Sequence, residues 1–459
     1  MNTLELIEKQ ALNPEKTDSA KPCLGIIVPP SPFIVPAGWE FVLRQPFEGV
    51  SYIATVAHNA GYKVKIIDVR FAGNPVREAL RQAADGADLV GVATYEDNFP
   101  FIEEVVRGIK EESAKKLVIL GGSLVTSVPA VVMGNTLADI AVLGEGELTI
   151  IELLDLIVQD KLGRLNELKG ICYKDTSGNL VFTDKRPQME DLNSLPVMNL
   201  SLWPNVEKNP VIKEILFSHS RGCYMNCSFC YRTTPKLSLK SPDKFRQELK
   251  ELKAKHQFEF LYFVDLTFAI EKKRTLEICE VLKDFAARWS CMCRVQNLDA
   301  EMLRSMKEAG CQIALYGFES VSQEILDKAH KGITPDEIRK IIRMTRDSGI
   351  QVGGFFILGL PGETEASLKK VLDFIDETDT ACRVKYLSAI PGTEIYRQAL
   401  ASGIIKSEVQ HLRWLSQEKG SFDDEFINFT KLPEERLKEI YKKINSMYIK
   451  GPRFAQDWF

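Results

Sequence analysis

Ser220-Arg221-Gly222-Cys223-Tyr224-Met225-Asn226-Cys227-Ser228-Phe229-Cys230-Tyr231 carries three cysteines at Cys-x3-Cys-x2-Cys spacing, just after the apolar run Ile215-Leu216-Phe217. That run has the length and character of a short buried strand, so the thiols fall on one loop beyond its carboxyl end. Three thiolates on one loop can hold three irons of a four-iron, four-sulfur cluster and leave the fourth iron open. An open iron can bind a second molecule and act on it, whereas a pure electron carrier normally supplies a fourth cysteine. Two other readings of the same residues stay open. Zinc wants four ligands and His219 could be the fourth, or the cysteines are buried and unligated.

Toward the C-terminus, strand-like and helix-like segments alternate. The strand candidates are Phe258 to Asp265, Cys291 to Val295, Ile313 to Ser320, Gln351 to Leu360 and Arg383 to Ile390, with helices expected at Lys272 to Phe285, Met302 to Ala309 and Pro335 to Ser348. With Ile215-Leu216-Phe217 they make six βα units, which predicts a partial parallel barrel with its site on the carboxyl edge. Cys291 and Cys293 are two apart and share a strand face; with no further thiolate nearby they read as structural. Cys279 and Cys311 stand in apolar surroundings and read as core.

Toward the N-terminus, five short apolar strands are expected at Leu24 to Val28, Val64 to Ile67, Leu89 to Ala93, Leu117 to Leu120 and Ile140 to Leu143. Helical stretches lie between them at Gly49 to Ala60, Pro75 to Ala84, Phe99 to Glu111 and after Glu147. Alternation of this kind predicts a parallel sheet covered on both faces, a doubly wound Rossmann-like α/β domain. Its strand exits are the candidate ligand contacts: the Pro-rich loop Pro29 to Gln45, Thr94-Tyr95-Glu96-Asp97, Gly121-Gly122-Ser123 and Gly144-Glu145-Gly146-Glu147. Each glycine lets backbone approach a ligand, although any one exit could be turn chemistry alone. Ordinary dinucleotide binding is disfavoured, because no G-x-G-x-x-G follows the first strand.

The cysteine spacing, with Phe229 just before the third cysteine, resembles the signature of the radical S-adenosylmethionine (radical SAM) enzymes. Three later motifs resemble the same family: Gly317-Phe318-Glu319-Ser320 its fourth-strand ribose or methionyl motif, Gly354 to Glu363 its fifth-strand adenine motif, and Pro391-Gly392-Thr393-Glu394 its sixth-strand turn. Asp265 resembles the acidic second-strand exit. The resemblance implies that Cys223, Cys227 and Cys230 ligate a 4Fe-4S cluster, and that Phe229, Tyr231, Gly317, Glu319, Ser320, Ile357 and Gly359 surround S-adenosylmethionine. Glu319 can also be read as a structural carboxylate capping a helix. The front domain resembles the cobalamin-binding domain found in many radical SAM proteins, which implies cobalamin contacts at Thr94, Tyr95, Gly121, Gly122, Ser123, Gly144, Glu145 and Gly146. Cobalamin mutases carry Asp-x-His-x-x-Gly after the first strand, and none of the five histidines falls there, so cobalamin is expected to bind without a histidine ligand. Retention of the domain without the cofactor is the alternative.

The resulting division is a polar extension at 1–21, a cobalamin-binding domain at 22–165, a connector at 166–210 with a hairpin between Tyr173 and Phe182, a partial radical SAM barrel at 211–400 and a helical tail at 401–459. In the tail, Leu437, Ile440, Tyr441, Ile444 and Tyr448 recur at helical spacing, a stripe that reads as packing; a lid carrying Trp414 or Trp458 is the sharper reading. The net charge of −4, from 59 basic and 63 acidic residues, argues against a nucleic-acid binder. No stretch has the length of a membrane span or a secretory signal core, and ten cysteines in 459 residues are not a disulfide scaffold, so a reducing cytoplasm is expected. The family resemblance implies a cobalamin-dependent C-methyltransferase acting on a small-molecule or peptide substrate, with an electron donor such as flavodoxin or ferredoxin. The rivals are a radical cyclisation or rearrangement without methyl transfer, and an iron-sulfur redox sensor.

Overall fold

The structure, a computed structural model, describes residues 21–30, 45–208, 212, 214–416 and 428–448. Most of the Pro29 to Gln45 loop, the first twenty residues and Trp458 lie outside the described residues, as do the side chains of Tyr441, Ile444 and Tyr448. The front sheet has seven strands, β1 (Cys23–Val28), β2 (Lys63–Asp68), β3 (Leu89–Thr94), β4 (Val118–Gly122), β5 (Ile140–Val142), β6 (Ile171–Lys174) and β7 (Leu180–Phe182), in the order β2-β1-β3-β4-β5-β6-β7. The first five are parallel, and the hairpin of β6 and β7 extends the edge antiparallel. Asp175 fixes the hairpin turn by accepting from Ser177 N and Asn179 N, both at 2.8 Å.

Alternate residues of these strands go to opposite faces. Ile26 and Ile66 pack with α1 (Glu48–Asn59) and α6 (Glu147–Val158), while Ile27 and Ile67 pack with α2 (Pro75–Ala84) and α3 (Phe99–Glu112). Burial on both faces explains why these strands are apolar throughout rather than alternating. Short helices α4 (Ser123–Ser127) and α5 (Pro129–Gly134) follow β4.

After α7 (Pro204–Lys208) comes the second sheet, six parallel strands formed by β8 (Glu214–Phe217), β11 (Phe260–Phe263), β12 (Arg288–Cys293), β13 (Cys311–Glu319), β14 (Gln351–Leu358) and β15 (Ala381–Tyr386), neighbours in chain order. Its helices are α8 (Pro242–His256), α9 (Lys272–Lys283), α10 (Ala300–Glu308), α11 (Gln323–Lys328), α12 (Pro335–Asp347), α13 (Glu365–Thr378) and α14 (Glu394–Ala401). Between β8 and α8, the short antiparallel pair β9 (Ser220–Arg221) and β10 (Ser238–Leu239) closes the neck of the cysteine loop. Local chemistry starts these helices where the sequence changes: Thr334 and Glu337 form a capping box at α12, with Pro335 in its first turn.

The tail divides. Helix α15 (Glu408–Leu415) crosses back to the front domain, where Arg413 pairs with Glu103 at 2.8 Å and Phe99 N donates to Ser416 Oγ at 3.1 Å. Trp414 stacks on His411 at 5.4 Å and packs against the front core, so it is not placed as a lid. Helix α16 (Glu434–Tyr448) buries Leu437 and Ile440 beside β15, the packing expected of the stripe. No helix among the described residues is long and apolar enough to cross a membrane.

Candidate active site

The cysteine loop is shaped by contacts from every side. Gly222 has φ +85°, and a Cβ there would stand 2.7 Å from Thr234 O and closer still to Lys236 O, so only glycine makes this turn. Arg232 donates to Cys223 O at 2.9 Å and to Asn226 Oδ1 at 3.0 Å. Ser228 N donates to Ala329 O and Ile395 N to Ser228 O, both at 3.1 Å, tying the loop to the fourth and sixth βα units. Cys223 and Cys227 are half-buried and Cys230 is exposed. Burial, then the neighbouring Cys227 and Cys223, push the Cys230 thiol up to about 11. Three thiols gathered on one loop are the donor set that cluster irons bind as thiolates.

A tetrahedral zinc site needs a fourth ligand beside the three cysteines, and His219 is the candidate for it. His219 is fully buried in a box of Phe245, Phe263 and Phe268, its Nε2 3.2 Å from Phe268 O. Burial, followed by the charge of Arg274, pushes the His219 imidazole down to about 3. It is therefore a neutral core residue rather than a fourth ligand.

Asp265 stands at the exit of the second barrel strand. Its carboxylate is buried and accepts from His219 N at 3.2 Å and from the Ser220 hydroxyl, which fixes the entry to the cysteine loop. Burial pushes it up to about 6.

On the barrel edge, β13 bulges between Gly317 and Glu319, and Glu319 takes φ +64°, a strained backbone for a side chain of its size. The Glu319 carboxylate folds over Gly317, where a Cβ would stand 2.9 Å from Lys331 Nζ and nearer still to Glu319 Oε1. Lys331 pairs with Glu319 at 3.0 Å and lies 5.9 Å from the ring centroid of Phe229. Lys331 has no motif of its own, and sequence reading missed it. Ser320 is fully buried, its hydroxyl accepting from Ser322 N at 3.3 Å. Ile357 is half-buried on the inner face. Gly359 has φ +92° and donates to Glu363 Oε2 at 2.7 Å. Glu363, pushed up to about 8 by burial, shapes this turn. Tyr231 covers Gly392, where a Cβ would be 2.8 Å from its ring and 3.2 Å from Ser127 of the front domain.

The front sheet opens at its carboxyl edge into a cavity of about 340 Å³. Tyr95, Gly121, Gly122, Gly144, Glu145 and Gly146 line it, whereas Thr94 and Ser123 do not appear in its wall. Thr94 is buried, donating to Gly121 O at 3.1 Å and accepting from Val125 N at 3.2 Å, so it braces the β4 exit. Beside Gly121 and Gly144 an added Cβ would meet nothing within 4 Å, whereas at Gly122 (φ +123°) it would strike Thr94 O. A slot floored by bare backbone and walled mainly by apolar side chains, with a few polar groups at its rim, suits a broad, planar, amide-fringed group such as cobalamin or its nucleotide tail.

Arg221, Thr233 and Thr234, from either end of the cysteine loop, stand in the wall of that cavity. Arg221 pairs with Glu145 at 3.1 Å and Glu147 at 2.6 Å, and its guanidinium lies 5.1 Å from the Tyr52 ring centroid. Next to it, Lys240 is fully buried and donates to Glu248 at 2.8 Å, Tyr52 Oη at 2.9 Å and Ser218 O at 2.7 Å. Ser218 donates in turn to Glu48 at 2.7 Å. Burial works against the charge of both cations, but the carboxylates Glu147 and Glu48 around Arg221, and Glu248 and Glu48 around Lys240, hold them firmly protonated. One polar network thus joins the cavity to the cysteine loop.

The pair Cys291 and Cys293, 3.5 Å apart at sulfur, is joined by Cys311, a third thiol beyond those the sequence brought together. All three are buried on the helix-covered side, where burial pushes the Cys291 thiol well up, and they remain core packing.

Two family models match the chain. Residues 46–154 match the B12 binding domain family and residues 217–375 the radical SAM superfamily. An uncharacterised methyltransferase of Pyrococcus horikoshii, PH0819, is 25% identical over 423 residues, covering 90% of this chain and 89% of that one. The anaerobic magnesium-protoporphyrin IX monomethyl ester cyclase of Rubrivivax gelatinosus is 27% identical over 72% of this chain and 62% of its own length. Among solved structures, the radical S-adenosylmethionine methyltransferase TsrM of Kitasatospora setae, with cobalamin and a [4Fe-4S] cluster bound, matches with TM-score 0.69 at 17% identity over 84% of this chain and 79% of that one. The cobalamin-dependent radical enzyme OxsB matches with TM-score 0.64 at 17% identity over 93% of this chain and 62% of its own. With a cobalamin-binding fold in front of a barrel that carries Cys223, Cys227 and Cys230 on its first loop, the chain belongs to the radical SAM superfamily, among the members bearing a B12-binding domain.

Proposed function

We propose that this chain is a cobalamin-dependent radical SAM enzyme that methylates an unactivated carbon of a small molecule or peptide. The observation that carries the reading is the shared wall: Arg221, Thr233 and Thr234 of the cysteine loop line the cavity of the cobalamin-binding domain. Two cofactor sites that share side chains can act on one substrate between them, which is what proximity requires. When bound, the cluster, S-adenosylmethionine and cobalamin supply the reductive cleavage, the hydrogen-abstracting radical and the methyl group.

The chain itself binds, orients and excludes water. Cys223, Cys227 and Cys230 hold the cluster. Glu319 and Lys331 offer a carboxylate and an ammonium to the opposite charges of the methionyl group, and the bare backbone of Gly317 keeps space for them. Ile357 and the Gly359 turn form the shelf for the adenine. Tyr231, packed on Gly392 and near Ser127, seals the joint between the domains. All ten cysteines are free thiols, which supports a reducing cytoplasm, and a flavodoxin or ferredoxin is the electron donor.

The test is anaerobic reconstitution with iron, sulfide and cobalamin, then reaction with methyl-labelled S-adenosylmethionine, a strong reductant and a panel of small molecules. Deoxyadenosine together with a labelled product supports methyl transfer. Deoxyadenosine with a ring-closed, unlabelled product would make the chain a radical cyclase, and no deoxyadenosine at all would remove the radical reading.

A further inference from the structure

The last strand of the barrel carries two cations that none of the cofactor motifs includes. Cys382 and Val384 of β15 are buried on the helix-covered face. A Cβ on Gly354 would come within 3.2 Å of Cys382 Sγ, and Phe318 and Phe356 of the same face meet Phe374 of α13 at 6.3 and 6.0 Å. Alternation along the strand therefore turns Arg383 and Lys385 to the other face, inside the barrel, where both are exposed.

Their register places them beside the nucleoside shelf. Lys385 pairs with Ile357, while Arg383 pairs with Phe355, whose partner in turn is Gly317. Arg383 is thus two strand spacings, about 10 Å, from the glycine beneath the Glu319 and Lys331 pair. Asp97, at the exit of β3, faces Lys385 from the front domain, so the cations stand on the side of the barrel mouth that looks toward the cobalamin-binding domain. Water reaches Lys385, yet burial, then Arg383, push its ammonium down to about 8. Among the described residues no hydrogen bond or ion pair engages the Arg383 guanidinium, whose planar fork suits a two-oxygen anion.

We propose that Arg383 and Lys385 hold an oxyanion of the substrate, a carboxylate or phosphoryl group, beside the adenine end of S-adenosylmethionine. This rests on the radical SAM reading for what lies next to the anion, and the sequence-distant Asp97 then limits how far the substrate extends toward the front domain. A second source of the same chemistry is the phosphate in the nucleotide tail of cobalamin, and the experiment separates the two.

Lys385 gives a direct readout. The holoenzyme, reconstituted with cluster and cobalamin, is treated briefly with acetic anhydride, and acetylation of Lys385 is followed by peptide mass spectrometry with and without inorganic phosphate or acetate. An anion seated between the cations raises the ammonium pKa by about one unit, so labelling slows roughly tenfold at fixed pH. Arg383→Gln should lose this protection while retaining the cluster absorbance and bound cobalamin, which shows that it has folded. Labelling that neither anion changes overturns the proposal. So does protection by cobalamin alone that phosphate does not increase, because the anion is then the cofactor's own. Deoxyadenosine formation, assayed in the same samples without substrate, reports separately on the radical reading.

Discussion

Arg221→Met tests whether the polar network between cavity and cysteine loop exists as described. The guanidinium sits between Glu145 and Glu147 with side chains 16%, 10% and 5% exposed, so water screens the pairs little. Methionine keeps much of the volume and removes the charge, leaving two carboxylates together against the cavity wall. Removing one partner of a buried ion pair costs about 3–5 kcal/mol. For a unit the size of the front domain each kcal/mol lowers the thermal midpoint by about 2–4 °C, which gives a fall of roughly 6–20 °C. The sign with pH follows from Glu145. Burial already pushes its carboxyl up, and Arg221 is among the groups holding it down. Without Arg221 its folded pKa rises further above the unfolded value. The deficit is therefore largest above that folded pKa and shrinks as pH falls through it, so the loss is compared at about pH 8 and at about pH 5.5. Calorimetry of the anaerobic chain at both pH values measures this, with Arg413→Met as control, since Arg413 and Glu103 form an exposed pair with no measurable loss expected. A fall under about 2 °C, or a deficit that grows on acidification, would refute the burial and pairing of Arg221.

Three further substitutions separate the sites. Gly121→Leu has open space for its side chain and no positive φ to satisfy, so the chain should fold with an unchanged midpoint but lose cobalamin, read from the visible spectrum after gel filtration; retained cobalamin would place the cofactor elsewhere. Gly122→Ala, one residue on, has φ +123° and a Cβ driven into Thr94 O, so it should lower stability by about 1–3 kcal/mol or more in denaturant titration. Cys227→Ala should abolish the cluster absorbance and deoxyadenosine formation together while leaving cobalamin bound, and deoxyadenosine from this variant would exclude the three-cysteine site.

What could be read in advance was what repeats along the chain or has fixed spacing. The three cysteines, the five strands of the first parallel sheet and the six of the second stand where apolar runs of strand length interrupt helical periodicity, with ends shifted by only a few residues. The hairpin after α6 was legible from its turn chemistry, but that it extends the first sheet was not, because strand partnership is a long-range choice. Asp265 shows why site chemistry was harder. A carboxylate at a strand exit looks the same in sequence whether it faces a ligand or, as here, caps the backbone of His219. Ser320 and Thr94 were read as facing ligands for the same reason, and both hydroxyls prove to be engaged with backbone. Lys331 was invisible because its meaning lies in Glu319, twelve positions away, and in the bulge that folds that carboxylate back.

The stretch from Ser218 to Lys240 has a double allegiance that explains why these two sites share one chain. Ser220 and the backbone of His219 are fastened to Asp265 of the barrel. Ser218, Arg221 and Lys240 are fastened to Glu48, Glu145, Glu147 and Tyr52 of the front domain. Between Ser218 and Arg221 the anchors pass from the front domain to the barrel and back, Lys240 holds Tyr52 of one and Glu248 of the other, and the neck of β9 and β10 clamps both ends. A relative movement of the domains would therefore have to break buried, charge-assisted contacts worth more than an exposed pair. The cysteines project from that clamp, so their distance from the cobalamin cavity is set by the fold rather than by a flexible linker, and preorganisation of this kind is what chemistry between two large cofactors needs from a protein.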